Sequence, residues 1–490
     1  MNITMILEMV ASGGDRPVVT ANGRSLTASD LLARARAAAQ RFRGHPAVLY
    51  LSPSHLAYPV ALFGAALAGI PLIPLNYRLG EHQLARLLAR HPGALVLRPA
   101  DLDDLLSAEE TPDAPESVPD QDSVDQDAVA VVLYTSGTTA EPKAALLRHR
   151  HLLAYVLNTQ EFASAAEGDA ALVAVPPYHV AGLMNLLTNL YSGRRLVYLP
   201  AFDPGEWLET ARREQVTHAL VVPTMLARIV AEVLAGDAGT PTLRSLAYGG
   251  ARTPRPVVER ALEIFPGTGF VNAYGLTETT SSVAVLGPDD HREALAASDP
   301  AVRDRLGSVG RSLPGVEIEI RADDGKPLPA GETGLVFVRG EQISGEYVGR
   351  SALDAGGTSQ PPGAGGGWFP TRDRGRLDAD GYLFIEGRAD DTIIRGGENI
   401  APAEIEDVLV AHPGIVEAAV IGVPDPEWGQ RIVAVVVGEG DPAEVRQWVK
   451  DRLRSSKTPD TIVFRAELPK TETGKLLRRT LLAELETTHA

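Results

Sequence analysis

Val129-Ala130-Val131-Val132-Leu133-Tyr134-Thr135-Ser136-Gly137-Thr138-Thr139-Ala140-Glu141-Pro142-Lys143-Ala144 is the stretch that decides the fold. Residues 129–134 form an unbroken apolar run, short enough for a strand buried on both faces. The run empties into a turn that gathers Thr135, Ser136, Thr138, Thr139, Gly137 and Lys143. Hydroxyls and freed backbone N–H groups can ring phosphate oxygens, and a lysine adds a point charge. The spacing is not that of the Walker loop, which needs a second glycine followed directly by Lys and Ser or Thr. Alone, the segment is either a phosphate loop on an α/β sheet or a Ser/Thr-rich surface turn.

Upstream, 47–51 and 94–97 read as strands, and 58–70, rich in Ala and Leu, as a helix. Downstream, 172–175, 195–199 and 219–222 are strand-like, with helical stretches between them. Such alternation implies α/β layers with largely parallel sheets. The acidic, Pro-containing segment 101–127 reads as a solvated linker or surface loop. After about residue 305, the runs 316–320, 335–339 and 382–386 alternate apolar and polar, as in a half-exposed sheet. The Gly/Pro-rich 355–367 predicts a mobile surface loop. Residues 391–490 read as a small unit of helices (402–411, 442–453), strands (416–423, 431–437, 461–464) and an irregular tail. The fold class is α/β: a large N-terminal domain of stacked sheets, a small β-rich subdomain, and a small C-terminal α+β domain.

Composition narrows the function. The 490 residues carry 46 basic and 63 acidic side chains, a net charge of −17, which argues against a nucleic-acid partner. Without cysteine there is no disulfide framework, thiolate–zinc site or cysteine nucleophile. No run reaches the ~18 apolar residues of a membrane span. The first residues, Met1 to Glu8, lack the basic start of a signal peptide, so a cytoplasmic, soluble protein is expected. Lysine is scarce: Lys143, Lys326, Lys450, Lys457, Lys470 and Lys475 stand among forty arginines. Lys143 and Lys475 both lie in Gly/Thr-rich contexts, where a compact ammonium on a flexible stem has a use.

Residues 134–143 resemble the YTSGTTGxPKG signature of the adenylate-forming superfamily, which holds acyl- and aryl-CoA synthetases, peptide-synthetase adenylation domains and firefly luciferase. The later glycines are Ala140 and Ala144 here. The resemblance continues in order along nearly the whole chain. Asn272-Ala273-Tyr274-Gly275-Leu276-Thr277-Glu278 is similar to the second ATP motif. The resemblance implies that Asn272 bonds the adenine amino group, Tyr274 stacks on the ring, Thr277 bonds a phosphate oxygen and Glu278 binds Mg²⁺. Gly249-Gly250-Ala251 matches the wall between adenine and acyl group, and Pro176-Pro177-Tyr178-His179 the motif whose histidine lies beside the substrate carboxylate. Alone, that histidine would read as structural. Gly367-Trp368-Phe369-Pro370-Thr371-Arg372-Asp373 resembles GWFxTGD, with Asp373 for the ribose hydroxyls and Arg372 where glycine is usual.

The matches 382–391 and 395–406 imply Arg388 as a ribose or phosphate ligand, a hinge at Asp390, and Gly396 and Gly397 beside the pantetheine arm. The resemblance divides the chain into 1–389, with the β-rich subdomain over about 305–389, and a mobile 390–490. Leu468-Pro469-Lys470-Thr471-Glu472-Thr473-Gly474-Lys475 matches the C-terminal PKTxxGK and implies Lys475 as the adenylation lysine. Trp428 is a candidate to stack on the CoA adenine, or a structural tryptophan. Lys457 is the one basic residue in the CoA-phosphate segment, where Asp460 brings an opposing charge.

These matches imply an ATP-dependent, Mg²⁺-assisted carboxylate–CoA ligase that proceeds through an acyl-adenylate. The alternatives are an enzyme that hands the adenylate to a carrier-protein thiol or another nucleophile, and a non-catalytic nucleotide-binding relative. Tyr248, and the lack of a long Gly-lined channel, point to an aryl or short-to-medium acyl acid.

Overall fold

The helix Ala57–Leu67 shows how the large domain closes. Every one of its residues is buried, so it has to be covered all round. It packs against Ala28–Phe42, and with Thr4–Ser12 and Val180–Ser192 it joins an apolar cluster fed by two sheets. The structure is a computed structural model. It describes residues 2–107, 125–135, 143–236, 239–240, 242–348, 350–351, 367–396, 398–471, 474 and 476–488.

Among the described residues the strands form five sheets. In the largest, six neighbours run parallel: Pro17–Ala21, Arg195–Tyr198, Ala170–Val173, His218–Val221, Ser245–Gly249 and Gly269–Leu276. Antiparallel strands close both edges. The second sheet holds Leu95–Leu97, Val48–Tyr50, Leu72–Pro74 and Val129–Thr135 in parallel. Lys143–Arg148 then turns back antiparallel on Val129–Thr135, and Glu346–Tyr347 pairs with its far side. An antiparallel sheet of Val316–Arg321, Gly334–Gly340, Phe369–Leu377 and Leu383–Arg388 forms the β-rich part.

The small C-terminal domain is built on Ile415–Asp425, Gly429–Gly438 and Thr461–Arg465. Successive strand residues face opposite sides. Val420, Ala434 and Val436 meet Ile405, Leu409, Val445 and Val449 of two helices, Pro402–Val410 and Pro442–Lys450. Ala419, Ile421, Val433 and Val435 meet Leu481 and Leu485 on the other side. Both faces are covered, which is why the strand runs are apolar without alternation.

Two expectations are corrected. Within 101–127, Leu102–Ser107 is a helix whose Leu102, Leu105 and Leu106 are buried, since their spacing places them on one face; 108–124 lie outside the described residues. The tail is not irregular throughout: Arg478–Thr488 is a helix whose Leu481 and Leu485, one turn apart, cover the C-terminal sheet. Of the glycine-rich 355–367, only Gly367 lies within the described residues.

Candidate active site

Parallel strands leave a crevice beyond their carboxyl ends, where the chain turns away and ligands can reach backbone groups. Three segments singled out by the sequence follow such ends, 176–179, 249–251 and 277–278, and 222–224 follows another. Gly249 and Gly275 are required there by contact. A Cβ on Gly249 would lie 2.1 Å from the Ala273 carbonyl oxygen, and one on Gly275 1.9 Å from that of Ser281. Gly250, at φ +85°, turns the chain away before Ala251. Asn272 donates from its amide nitrogen to the Ser308 carbonyl at 3.0 Å, which leaves its own oxygen as the accepting end.

Tyr274 packs its ring against the apolar cluster of the antiparallel sheet, and its hydroxyl donates to Asp373 at 2.5 Å. Burial first, then the Asp373 carboxylate, pushes this phenol well above its ordinary pKa, so it remains a donor. Asp373 is only 5% exposed. Arg388, its cross-strand partner, brings Nε to 3.1 Å from the carboxylate and donates from Nη1 to the Thr371 carbonyl at 3.0 Å. The aspartate expected at the ribose is thus held rigidly by a phenol and a guanidinium.

Glu278 sits on one helical turn, Thr277–Thr279, braced by backbone strain. Thr280 and Ser281 follow it at φ +56° and +112°, values that L-residues rarely adopt. Gln342, fully buried, holds the turn by donating to the Thr279 and Ser282 carbonyls at 3.1 and 2.7 Å. The Ser344 and Gly345 N–H groups donate to the Glu278 carbonyl, and the Tyr347 hydroxyl donates to its carboxylate at 2.5 Å. Burial, then Glu278, raises the Tyr347 phenol far above its ordinary value, while Arg372 and Arg388 pull the other way. The Lys143 ammonium lies 5.6 Å from the centre of the Tyr347 ring. Thr135 and Lys143 face each other across the hairpin, so the two ends of the phosphate segment are fixed beside Glu278. Ser136, Gly137, Thr138 and Thr139 lie outside the described residues.

His179 stands at the N-cap of Val180–Ser192, its ring 4.5 Å from that of Tyr178. A cavity of about 190 Å³ opens beside Pro176 and Thr224, with Arg78 and Arg228 in its wall. Gly474 reaches this place: a Cβ on it would meet Thr224 at 2.5 Å. Gly474 of the C-terminal motif is therefore brought to the large domain's crevice, while Lys475 lies outside the described residues, as does Gly397. Tyr248 is turned away. Its ring is fully buried against Phe270, and its hydroxyl bonds His291 at 2.9 Å, so it says nothing about the acid.

The family model for AMP-binding enzymes matches residues 7–348, and that for the AMP-binding enzyme C-terminal domain matches 404–475. The chain is an AMP-binding enzyme. It is 35% identical to a feruloyl-CoA synthase from Amycolatopsis sp. over 447 residues, 88% of this chain and 87% of that one. It is 32% identical to a 2-succinylbenzoate–CoA ligase from Bacillus licheniformis over 491 residues, 95% and 96% of the two chains. Its fold superposes on the o-succinylbenzoate CoA synthetase of Bacillus subtilis, solved with its acyl-adenylate intermediate, with a TM-score of 0.82, 27% identity and 97% of each chain covered. That synthetase has also been solved with ATP and a magnesium ion.

In this AMP-binding enzyme the CoA-side expectations need revision. Lys457 pairs with Glu404, and its side chain is only 14% exposed, so its charge is already answered. Asp460 is no free anion: it accepts from Arg395 at 2.7 Å and from the Ile432 N–H at 2.8 Å, fixing a strand edge. Trp428 is half-exposed and packs on Gly396, whose N–H donates to the Trp428 carbonyl at 2.8 Å. Sequence reasoning missed Tyr347, Gln342 and Arg252. Arg252, just past the Gly-Gly-Ala wall, donates to the Ala403 carbonyl at 2.8 Å and pairs with Asp407, tying the crevice to the C-terminal helix Pro402–Val410. A cavity of about 620 Å³ lies along this junction, between Arg388 and Glu386 on one side and Glu404 and Lys457 on the other. Arg372 holds φ +64°, a conformation that costs a non-glycine residue roughly 1–2 kcal/mol. No described helix is long and apolar enough to cross a membrane.

Proposed function

We propose that this chain is an ATP-dependent carboxylate–CoA ligase of the AMP-forming type, acting on an aryl or related acyl acid in the cytoplasm. The observation that carries it is the meeting of two constellations. Tyr274, Asp373 and Arg388 form one contact chain, and Glu278, Tyr347 and Lys143 another, at the end of the same parallel sheet that Gly474 touches. The two relatives named above act on acids that contain an aromatic ring, which motivates the acid class.

In the first half-reaction a carboxylate oxygen attacks the α-phosphorus of ATP. The bond to the β-phosphate oxygen breaks, and pyrophosphate leaves with the electron pair. Asp373 takes the ribose hydroxyls, Asn272 and the Gly249–Ala251 wall hold the adenine, and Thr277 and Lys143 hold phosphate oxygens. Glu278 is one carboxylate, and no cluster of three metal-binding side chains occurs among the described residues. That suits Mg²⁺ brought in on ATP phosphates, which keeps several waters and asks for one or two carboxylates. When bound, the ion neutralises charge on the departing pyrophosphate. Lys475 bridges the acid and the α-phosphate, and His179 closes the acid side.

In the second half-reaction the thiol sulfur attacks the acyl carbonyl and AMP departs. Residues 1–389 and 390–490 turn about Asp390, moving Lys475 out and bringing Gly396, Gly397 and Trp428 to the CoA arm. A carrier-protein thiol is the second acceptor to consider, because Lys457 is engaged by Glu404. A panel of carboxylates tests the proposal by pyrophosphate release with Mg-ATP, with and without CoA. Release that depends on an acid, and AMP that depends on CoA, are expected. A panel rich in aryl and acyl acids that gives no acid-dependent release would sink it.

A further inference from the structure

We infer that Arg372 is a phosphate-binding residue of the adenylation step, whose guanidinium takes the β- and γ-phosphates of ATP and stays with the pyrophosphate as it leaves. The inference rests on the ligase reading above and adds a residue to it.

Three observations lead there. The backbone at Arg372 is left-handed, at φ +64°, where glycine is at ease and a long side chain is strained. Strain of this kind persists where the surroundings fix it, and it gathers at sites of function. The residue also stands between two anchored neighbours, Thr371, whose hydroxyl donates to the Val336 carbonyl, and Asp373, the buried carboxylate of the nucleotide site. Finally, among the described residues the nearby arginines Arg374 and Arg388 hold Asp323 and Asp373 at 2.9 and 3.1 Å, whereas Arg372 is exposed and engages no carboxylate.

A guanidinium that is exposed and has no acid partner among the described residues, on a backbone held out of its preferred shape, is suited to an anion that arrives from solution. Arg372 adjoins Asp373, whose carboxylate is bonded by Tyr274, and the strand that carries Tyr274 runs straight into the Glu278 turn, where the polyphosphate of Mg-ATP would dock; its fork geometry matches two phosphate oxygens at once. Covalent bookkeeping is simple. The Pα–O bond to pyrophosphate breaks, the electron pair stays on the leaving oxygen, and the guanidinium keeps its proton while neutralising the charge that develops.

The test compares Mg-ATP with AMP, which shares the ribose and adenine contacts but lacks the outer phosphates, and needs no knowledge of the acid. In Arg372→Gly, Mg-ATP binding should weaken about tenfold, as for loss of a charge-assisted contact, while AMP binding stays within about twofold of wild type. Arg372→Lys should fall between. The melting temperature of the glycine variant should not drop, because glycine suits this backbone. ATP and AMP both unchanged, or both weakened alike, overturns the inference. A wild type that binds neither nucleotide overturns the ligase reading and takes this inference with it, so the two failures are told apart.

Discussion

Asp373 shows how a single side chain carries several constraints. It is buried, bonded by Tyr274 and paired with Arg388, so its two oxygens have fixed directions before any nucleotide arrives. Asp373→Asn keeps the shape and removes the charge that Arg388 answers. Breaking one side of a buried pair typically costs about 3–5 kcal/mol. The variant should unfold at lower denaturant and bind ATP and AMP equally poorly, unlike Arg372→Gly; calorimetric binding of both nucleotides checks this. Lys475→Ala should slow acid-dependent pyrophosphate exchange by about 100-fold, the loss of one charge-stabilising group at a transition state. Thioester formation from supplied acyl-adenylate should survive. Exchange near the wild-type rate would remove Lys475 from its assigned role. Lys143, Glu278 and Asp373 were legible in sequence as candidates because each sits inside a local motif. Tyr347 and Gln342 were not, because their partners in the Glu278 turn lie 60 or more residues away. The Lys457–Glu404 pair hid in the same way, across 53 positions.

At the scale of elements, the start of His149–Thr159 carries a pH sensitivity. His149 accepts from the Ile3 N–H at 3.4 Å, and His151 accepts from the Arg148 N–H at 3.3 Å, both through Nδ1. Acting as acceptors, both rings are neutral. Burial pushes each imidazole down to about 4, with Arg150 assisting at His151 and Asp125 opposing at His149. The folded state thus resists protonation while the unfolded chain, at about 6.5, accepts it. Between those values the unfolded state binds more protons, so stability is full above pH 6.5 and declines as pH falls towards 4. Urea midpoints should drop between pH 7 and pH 5, and His151→Gln should flatten that drop; parallel curves for variant and wild type would contradict it. Elements were read well where an apolar run was continuous and of telling length, as in Ala57–Leu67 or the C-terminal strands. Leu102–Ser107 was missed because its aspartates dominated a segment whose leucines nonetheless share a face, and Arg478–Thr488 because charged residues surround Leu481 and Leu485.

For the whole molecule, the order of motifs implied that two domains meet over one site, but not how they are held. Arg252 answers part of that. Its bonds to Ala403 and Asp407 join the large domain to the C-terminal helix in the arrangement where Gly474 meets Thr224. Arg252→Ala should therefore depress pyrophosphate exchange more than thioester formation from supplied adenylate. Asp390→Pro, which fixes φ in the turn Ala389–Asp391, should preserve one half-reaction and lose the other, as a trapped hinge requires. Equal loss of both would point to misfolding. The central claim is a two-step ligation through a bound acyl-adenylate, and a quench-and-chase experiment meets it most directly. Enzyme is mixed with Mg-ATP and the acid it accepts best, without CoA, and then chased with CoA. The account predicts a burst of about one pyrophosphate per enzyme, as a retained intermediate requires, followed by acyl-CoA and AMP in equal amounts only after the chase. Acyl-CoA without a preceding acid-dependent burst, or an adenylate that persists unchanged through the chase, would contradict it.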